Sequence, residues 1–450
     1  MLLIPTEITS WDGATKAITG VWRADSLRGR FARGAVWSLI GAVIAQGASL
    51  AASVITARLL GREQFGEYGM IQSTVGMLGI FAGLGLGITA TKYVAEFRNC
   101  DPERAGRIIA LGCAVAIISG GLLALALLAY APVLAAKTLN APALADELRI
   151  ASVLLFFNSL NGAQTGALAG FEAFRAIARI NLVRGLIVFP VTVAAVFFWR
   201  LPGSVWALAV TAAITCLLSQ VSLRRQCTAL GIHTRFSSGW AERRVLWTFS
   251  TPAFLSGALV GPVLWAANTM LVNQPRGYAE MGVFSAASQW RNAIGFIPGV
   301  LAQFALPILS NLNGERDASR YGKALRWNLI LTATAATAVA LPVALGAPQI
   351  MRLYGRGFEQ GSSVLVLSAA TAVMNCASGV VGTAILSAGS VWVGLAFNAM
   401  WAAVLLAGCY RFIPTNLALG LAGSLLGAYI AHWVWQAVYL RHRLSRLESA

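Results

Sequence analysis

Arg291 lies about halfway along an apolar run, Gly282 to Leu309, that is long enough to cross a bilayer. A guanidinium at that depth costs at least ~2.5 kcal/mol on insertion scales, so it is expected to face a bundle interior or a wet cavity. Ser288, Arg291, Asn292 and Gly295 fall at i, i+3, i+4 and i+7, one face of a helix, with Gln289 beside them. A cation held among hydroxyl and amide groups suits contact with an anionic ligand on a path through the membrane.

The rest of the chain must supply the membrane bundle that holds this stripe. It has 450 residues, 57% hydrophobic and 11% charged, with mean hydropathy +0.69. A soluble domain carries roughly 25% charged residues, so composition alone gives an all-α polytopic membrane protein. Forty-five glycines suit closely approaching membrane helices. Six scattered cysteines, without a CxxC pair or a nearby histidine, imply free thiols and neither metal nor cofactor.

Apolar stretches of spanning length recur near 34–58, 68–90, 108–131, 150–170, 181–199, 203–223, 246–272, 281–309, 327–346, 361–387, 391–410 and 414–438. With both termini on one side, twenty-four Lys and Arg residues fall in loops on that side and nine on the other; Arg291 is the remaining one. The positive-inside rule then places both termini in the cytoplasm. The same bias accounts for most of the net charge of +17 without invoking nucleic acid.

The basic stretch Arg224–Arg244 divides the spans six and six. The expected organisation is an N-terminal arm (1–33), a first lobe (34–223), a cytoplasmic linker (224–245), a second lobe (246–438) and a tail (439–450). The arm is expected to end in an interfacial helix, Ser26–Arg33. The halves share a motif: Phe65-Gly-Glu-Tyr-Gly69 precedes span two and Tyr278-Ala-Glu-Met-Gly282 precedes span eight, 213 residues later. Each of these spans is followed by a charged segment, Lys92–Arg107 or Asn311–Arg326, expected to lie at the interface. Spans four and ten end alike, in Ala-Leu-Ala-Gly170 and Leu-Ser-Ala-Gly389. An even number of spans per repeat makes the lobes parallel, with about twelve helices in two pseudo-symmetric lobes around a central cavity.

Several stretches together resemble the oligosaccharide flippases of the polysaccharide biosynthesis protein type. They are LLGREQFGEYGMIQSTVGMLGIFAGLGLGITATKYVAE from Leu59, ALAGFEAFRAIARINLVRG from Ala167 and SAASQWRNAIGFIPGVLAQFALPILS from Ser285. These flippases belong to the multidrug/oligosaccharidyl-lipid/polysaccharide exporter superfamily, and the resemblance runs through roughly residues 34–438. It implies a non-enzymatic, monomeric inner-membrane protein that turns an anionic, polyprenyl-diphosphate-linked oligosaccharide from the inner to the outer leaflet by alternating access. Its partners would be that lipid, the bilayer and the polysaccharide polymerase machinery.

Such cargo asks for a cation at the diphosphate and amides or aromatic faces at the sugars. Arg291 is the first candidate for the diphosphate, and the repeat places Leu78 opposite it in the first half. Arg184, one turn into span five, is a second, although snorkelling to the interface also explains it. Arg33 and Arg58 flank span one. The sugar candidates are Asn158, Asn161, Gln164 and Thr165 on span four, Gln46 on span one and Asn268 on span seven, with Ser288, Gln289 and Asn292 on span eight and Asn375 on span ten. Interhelical glue is the competing role for each amide, and interfacial or lipid contact for Trp265 and Trp290. Pro252, Pro262 and Pro298 are candidate bending points.

No Asp or Glu falls inside any span. This weighs against a cation-coupled multidrug antiporter of the same superfamily, which needs an intramembrane acid. A membrane polymerase or ligase is the other alternative. It needs large external loops and a reactive constellation, yet the external stretches are short, and His233, His432 and His442, in loops or near the C-terminus, form no evident nucleophile–base or metal-ligand set.

Overall fold

The computed structural model describes residues 27–234, 239–302, 318–387 and 391–448. The arm before residue 27, part of the linker (235–238), the end of span eight with most of its charged sequel (303–317), and Ala388–Ser390 with Gly389 lie outside the described residues.

Every described element is helical. Three very long helices are hairpins of two segments each. Leu27–Gly83 folds at Gly61 into α1 (27–60) and α2 (62–83). Phe174–Ala229 folds at Arg200 into α6 (174–199) and α7 (201–229). Val391–Glu448 folds at Leu417 into α14 (391–416) and α15 (418–448). Between them run α3 (Leu86–Phe97), α4 (Pro102–Val133) and α5 (Ala145–Gly170). After α7 come α8 (Thr251–Ala258), α9 (Val260–Val272), α10 (Gly277–Ala302), α11 (Ala318–Leu345), α12 (Ala347–Leu353) and α13 (Ser362–Ser387). Short α12 aside, and with α2–α3 and α8–α9 each forming one broken crossing, all twelve expected spans have a helix.

The breaks have local causes. Between α2 and α3, Leu84 and Gly85 both take positive φ, 42° and 70°, so span two is not the single helix its hydropathy suggests. Pro262 lacks the N–H that would bond to Ala258, and the helix parts at Leu259, between α8 and α9. A π turn, Leu246–Ser250, leads into α8, whose first turn holds Pro252. Pro298 stands inside α10, 213 residues from Gly85, but α10 runs on through it as helix, unlike the first lobe at Leu84–Gly85. The last hairpin turns at Leu417 (φ 47°), so span twelve begins at 418 rather than 414. It repeats the turn at Arg200 (φ 52°): three residues on, Gly203 and Gly420 pass so close to the carbonyls of Ala195 and Phe412 that no Cβ fits.

The charged segments, where described, continue the helices on either side of them. Lys92–Arg107 is the end of α3 and the start of α4, where Asp101 caps the helix by accepting from the Arg104 amide at 3.0 Å. Ser26–Arg33, from Leu27 on, is the start of α1. Part of the basic stretch after α7 folds back on α4, where Glu242 accepts from Arg104 at 3.2 Å and from Arg107 at 3.2 and 3.3 Å.

The two lobes meet along α2, α9 and α10. The repeated motif forms the contact: a Cβ at Gly66 would collide with the Tyr278 carbonyl, and one at Gly282 with the Arg62 carbonyl. Arg62 pairs with Glu280 and donates to the Ala279 carbonyl at 2.8 Å. Outside this crossing the lobes clasp each other reciprocally. Arg58, at the end of α1, donates to the Leu353 carbonyl of the second lobe. Asn273, after α9, donates to the Thr138 carbonyl of the first lobe at 2.9 Å. Phe65 packs on Tyr354 and Phe358, while Tyr278, its counterpart in the repeat, donates to the Leu139 carbonyl at 2.8 Å.

A side chain at Gly282 must push α10 off α2. Gly282→Val is expected to destabilise the closed Gly61 end by about 1–3 kcal/mol. Spin-label distances between residues 60 and 274 should lengthen or broaden in that variant, while labels confined to the first lobe stay unchanged.

Candidate functional site

The expected stripe lies on α10. Arg291 is partly buried, and its Nη1 is buried without a hydrogen-bond partner. Its guanidinium lies 5.9 Å from the centre of the Phe284 ring, two turns back along the helix. The Tyr429 phenol of α15 is within electrostatic reach, and Tyr429 in turn senses Cys376 of α13. Gly295 stands against the same cysteine, 3.9 Å from where its Cβ would be. Ser288 Oγ is also buried without a partner; Gln289 is half-buried and Asn292 exposed. α10, α13 and α15 therefore surround a cation that the helix itself does not neutralise.

The other amides divide into two groups. Asn158 on α5 and Asn375 on α13 are exposed, and Gln46 on α1 and Thr165 on α5 are half-buried. Asn161 accepts from Ser219 at 2.8 Å, and Gln164, 1% exposed, donates to Gln220 at 2.8 Å; both join α5 to α7 inside the first lobe. Asn268 donates to Ser73 at 2.9 Å across the lobe seam. These three hold helices together. The indoles are also engaged, Trp265 with Thr74 at 3.0 Å and Trp290 with Tyr354 at 3.1 Å. Arg184 is exposed on α6, next to the point where Gly185 passes Ala45 of α1. Of the flanking cations, Arg58 belongs to the clasp, and the Arg33 side chain lies outside what is described.

His432 falls within span twelve, near the C-terminus. It is 7% exposed inside α15, with Gln436 4% exposed one turn later. Tyr429, His432, Trp433 and Gln436 fall at i, i+3, i+4 and i+7, a polar and aromatic stripe that the sequence contained and hydropathy averaged away.

Two six-helix lobes of this kind, with broken crossings at the seam and a cation within one of them, define a polytopic membrane transporter. The chain belongs to the polysaccharide biosynthesis protein family, whose model matches residues 31–313. It is similar to the EPS I polysaccharide export inner membrane protein EpsE of Ralstonia nicotianae, 26% identical over 93% of this chain and 95% of that one. It is also similar to the Lipid III flippase of Escherichia coli, 21% identical over 89% and 96%. Among solved structures, an inward-facing multidrug resistance MATE family transporter of the MOP superfamily has the same fold, with TM-score 0.73 and 16% identity over 92% and 99%.

A partly buried cation without a counter-charge among the described residues and a buried paired amide should answer differently to replacement. Arg291→Leu is expected to keep or raise thermal stability, because an uncompensated desolvation cost disappears. Gln164→Leu orphans Gln220 and should cost roughly 0.6–1.7 kcal/mol. Unfolding of purified protein in detergent, by fluorescence or calorimetry, measures both.

Proposed function

We propose that this chain moves a polyprenyl-diphosphate-linked oligosaccharide from the inner to the outer leaflet of the bacterial inner membrane by alternating access. Both termini are cytoplasmic in this reading, as the distribution of Lys and Arg suggests. The observation that carries it is Arg291, a guanidinium within the second lobe whose Nη1 has no hydrogen-bond partner among the described residues. None of the apolar stretches read from the sequence holds a carboxylate to neutralise it. A diphosphate offers the oxygens that such a group lacks, in a medium where charge-assisted hydrogen bonds are strong. Asn292, Asn158 and Asn375 are exposed and free to face hydroxyl groups, unlike Asn161, Gln164 and Asn268. Bending at Pro262 and Pro298, and in the first lobe at Leu84–Gly85, would open and close the seam.

The names of the relatives support this class of cargo, since one is an exopolysaccharide export protein and the other a flippase. The MATE-like fold is compatible with a multidrug antiporter as well. A site for cationic drugs, however, would not place its buried charge as a guanidinium.

Loss of one charge-assisted contact costs about 1.5–3 kcal/mol, roughly ten- to hundredfold in affinity. Arg291→Ala should therefore reduce surface glycan at least about tenfold in a strain lacking the native protein, with membrane expression unchanged. Arg291→Lys keeps the charge and loses the fork, so partial recovery is expected. Full glycan with Arg291→Ala would remove this residue from cargo binding.

A further inference from the structure

The absence of intramembrane carboxylates leaves cargo movement without an evident link to an energy source, and His432 supplies one. The residue lies fifteen positions past the turn at Leu417, about 22 Å along α15, at a depth where ionisable groups are rare. Its Nε2 meets Gln436 Nε2 at 3.3 Å, whereas among the described residues Nδ1 has no partner, and neither has Gln436 Oε1. In neutral imidazole one ring nitrogen donates and the other accepts. Either tautomer therefore leaves a buried polar atom unpaired next to an unpaired amide oxygen. A structural histidine is normally satisfied at both nitrogens, so this arrangement fits a group that changes its hydrogen-bonding state. With the Gln436 amide turned over, Oε1 accepts from the Nε2–H of an imidazolium.

The surroundings are otherwise uncharged. Phe397 of α14 meets the imidazole edge-to-face, ring centres 6.5 Å apart, and Tyr439 lies against the same phenylalanine. Gly382 of α13 faces Gln436, 3.9 Å from where its Cβ would be, so no side chain fills that approach. Among the described residues of the elements packed against the α14–α15 hairpin, the ionisable groups at membrane depth are Arg291 of α10 and Cys376 of α13, with Cys409 of α14 and Tyr429 and Tyr439 of α15 in the hairpin itself. None of these is an acid that would fix a permanent charge on the ring. Tyr429, one turn before His432, is the residue that Arg291 senses. The hairpin of α14 and α15 also packs on α8 and α9, the broken crossing whose Trp265 and Asn268 hold α2 across the seam. A change in how this hairpin sits thus reaches both the cation and the lobe contact.

We propose that His432 is the proton-binding site through which this chain couples cargo movement to the transmembrane proton gradient. The coupling rests on the flipping reading above; the proton site itself does not. The step is a transfer of one proton. A ring-nitrogen lone pair takes H⁺ from water on one face of the membrane, and the same N–H bond breaks when the lobes have reversed, returning H⁺ to the other face. Histidine is suited to it because its charge changes within the physiological range, between about pH 5 and 8.

The test uses ¹⁵N-histidine-labelled full-length protein in lipid nanodiscs. There are only three histidines, so His233→Gln and His442→Gln assign the spectrum. The expected result is that the His432 ring titrates and that spin-label distances across the Gly61 end shift with pH. His432→Gln should abolish that shift. A ring that stays neutral from about pH 5 to 8 overturns the proposal, and so does a His432→Gln protein with the wild-type pH response. If the variant fails to fold, the wild-type titration alone decides. Glycan export followed in parallel separates the two claims. Glycan restored by the wild-type gene, with a ring that never titrates, overturns the proton site and leaves flipping intact. A titrating ring in a protein whose deletion leaves glycan unchanged overturns flipping and leaves the site.

Discussion

The fold depends on one backbone contact, the crossing of α2 and α10 at Gly66 and Gly282. No Cβ fits on either side, so the helices approach as closely as their main chains allow. This explains why the aromatic-small-Glu-x-Gly motif occurs in both halves. Each copy supplies one wall of the crossing, and each aromatic at its head, Phe65 or Tyr278, reaches into the loops of the opposite lobe. Arg58 and Asn273 repeat the exchange from the ends of α1 and α9. The contacts are numerous but individually modest, the kind of seam that can release and re-form.

Against this symmetry, Arg291 stands out. The repeat places Leu78 at its position in the first lobe, so the architecture itself does not require a charge there. What surrounds it, Phe284, Tyr429 and Cys376, is polarisable or weakly polar and offers no counter-charge. A fold shared with a multidrug transporter at 16% identity does not choose between cargoes. The proposed anionic cargo rests instead on the sign and placement of this charge.

Much of this was legible in the sequence. The spans follow from hydropathy because the bilayer fixes helix length, and Arg291 was conspicuous because a charge at such depth is costly. What escaped was partnership. Asn161, Gln164 and Asn268 look like cargo ligands on a single helix, yet Ser219, Gln220 and Ser73 occupy them from distant parts of the chain. The break at Leu84–Gly85 was masked because left-handed backbone leaves hydropathy unchanged. The setting of His432 escaped for a related reason. Its neighbours on α15 are apolar enough to read as continuous helix, and its isolation is visible only once α13 and α14 are in position.

The account's central claim is that this protein carries a diphosphate-linked glycan lipid between leaflets. The most direct measurement reconstitutes the purified protein into vesicles with a fluorescent polyprenyl-diphosphate oligosaccharide and follows its exposure to an external glycosidase. The account predicts that the inner-leaflet pool becomes accessible far faster than in protein-free vesicles, and that Arg291→Ala removes most of the difference. Equal rates with and without the wild-type protein would contradict it.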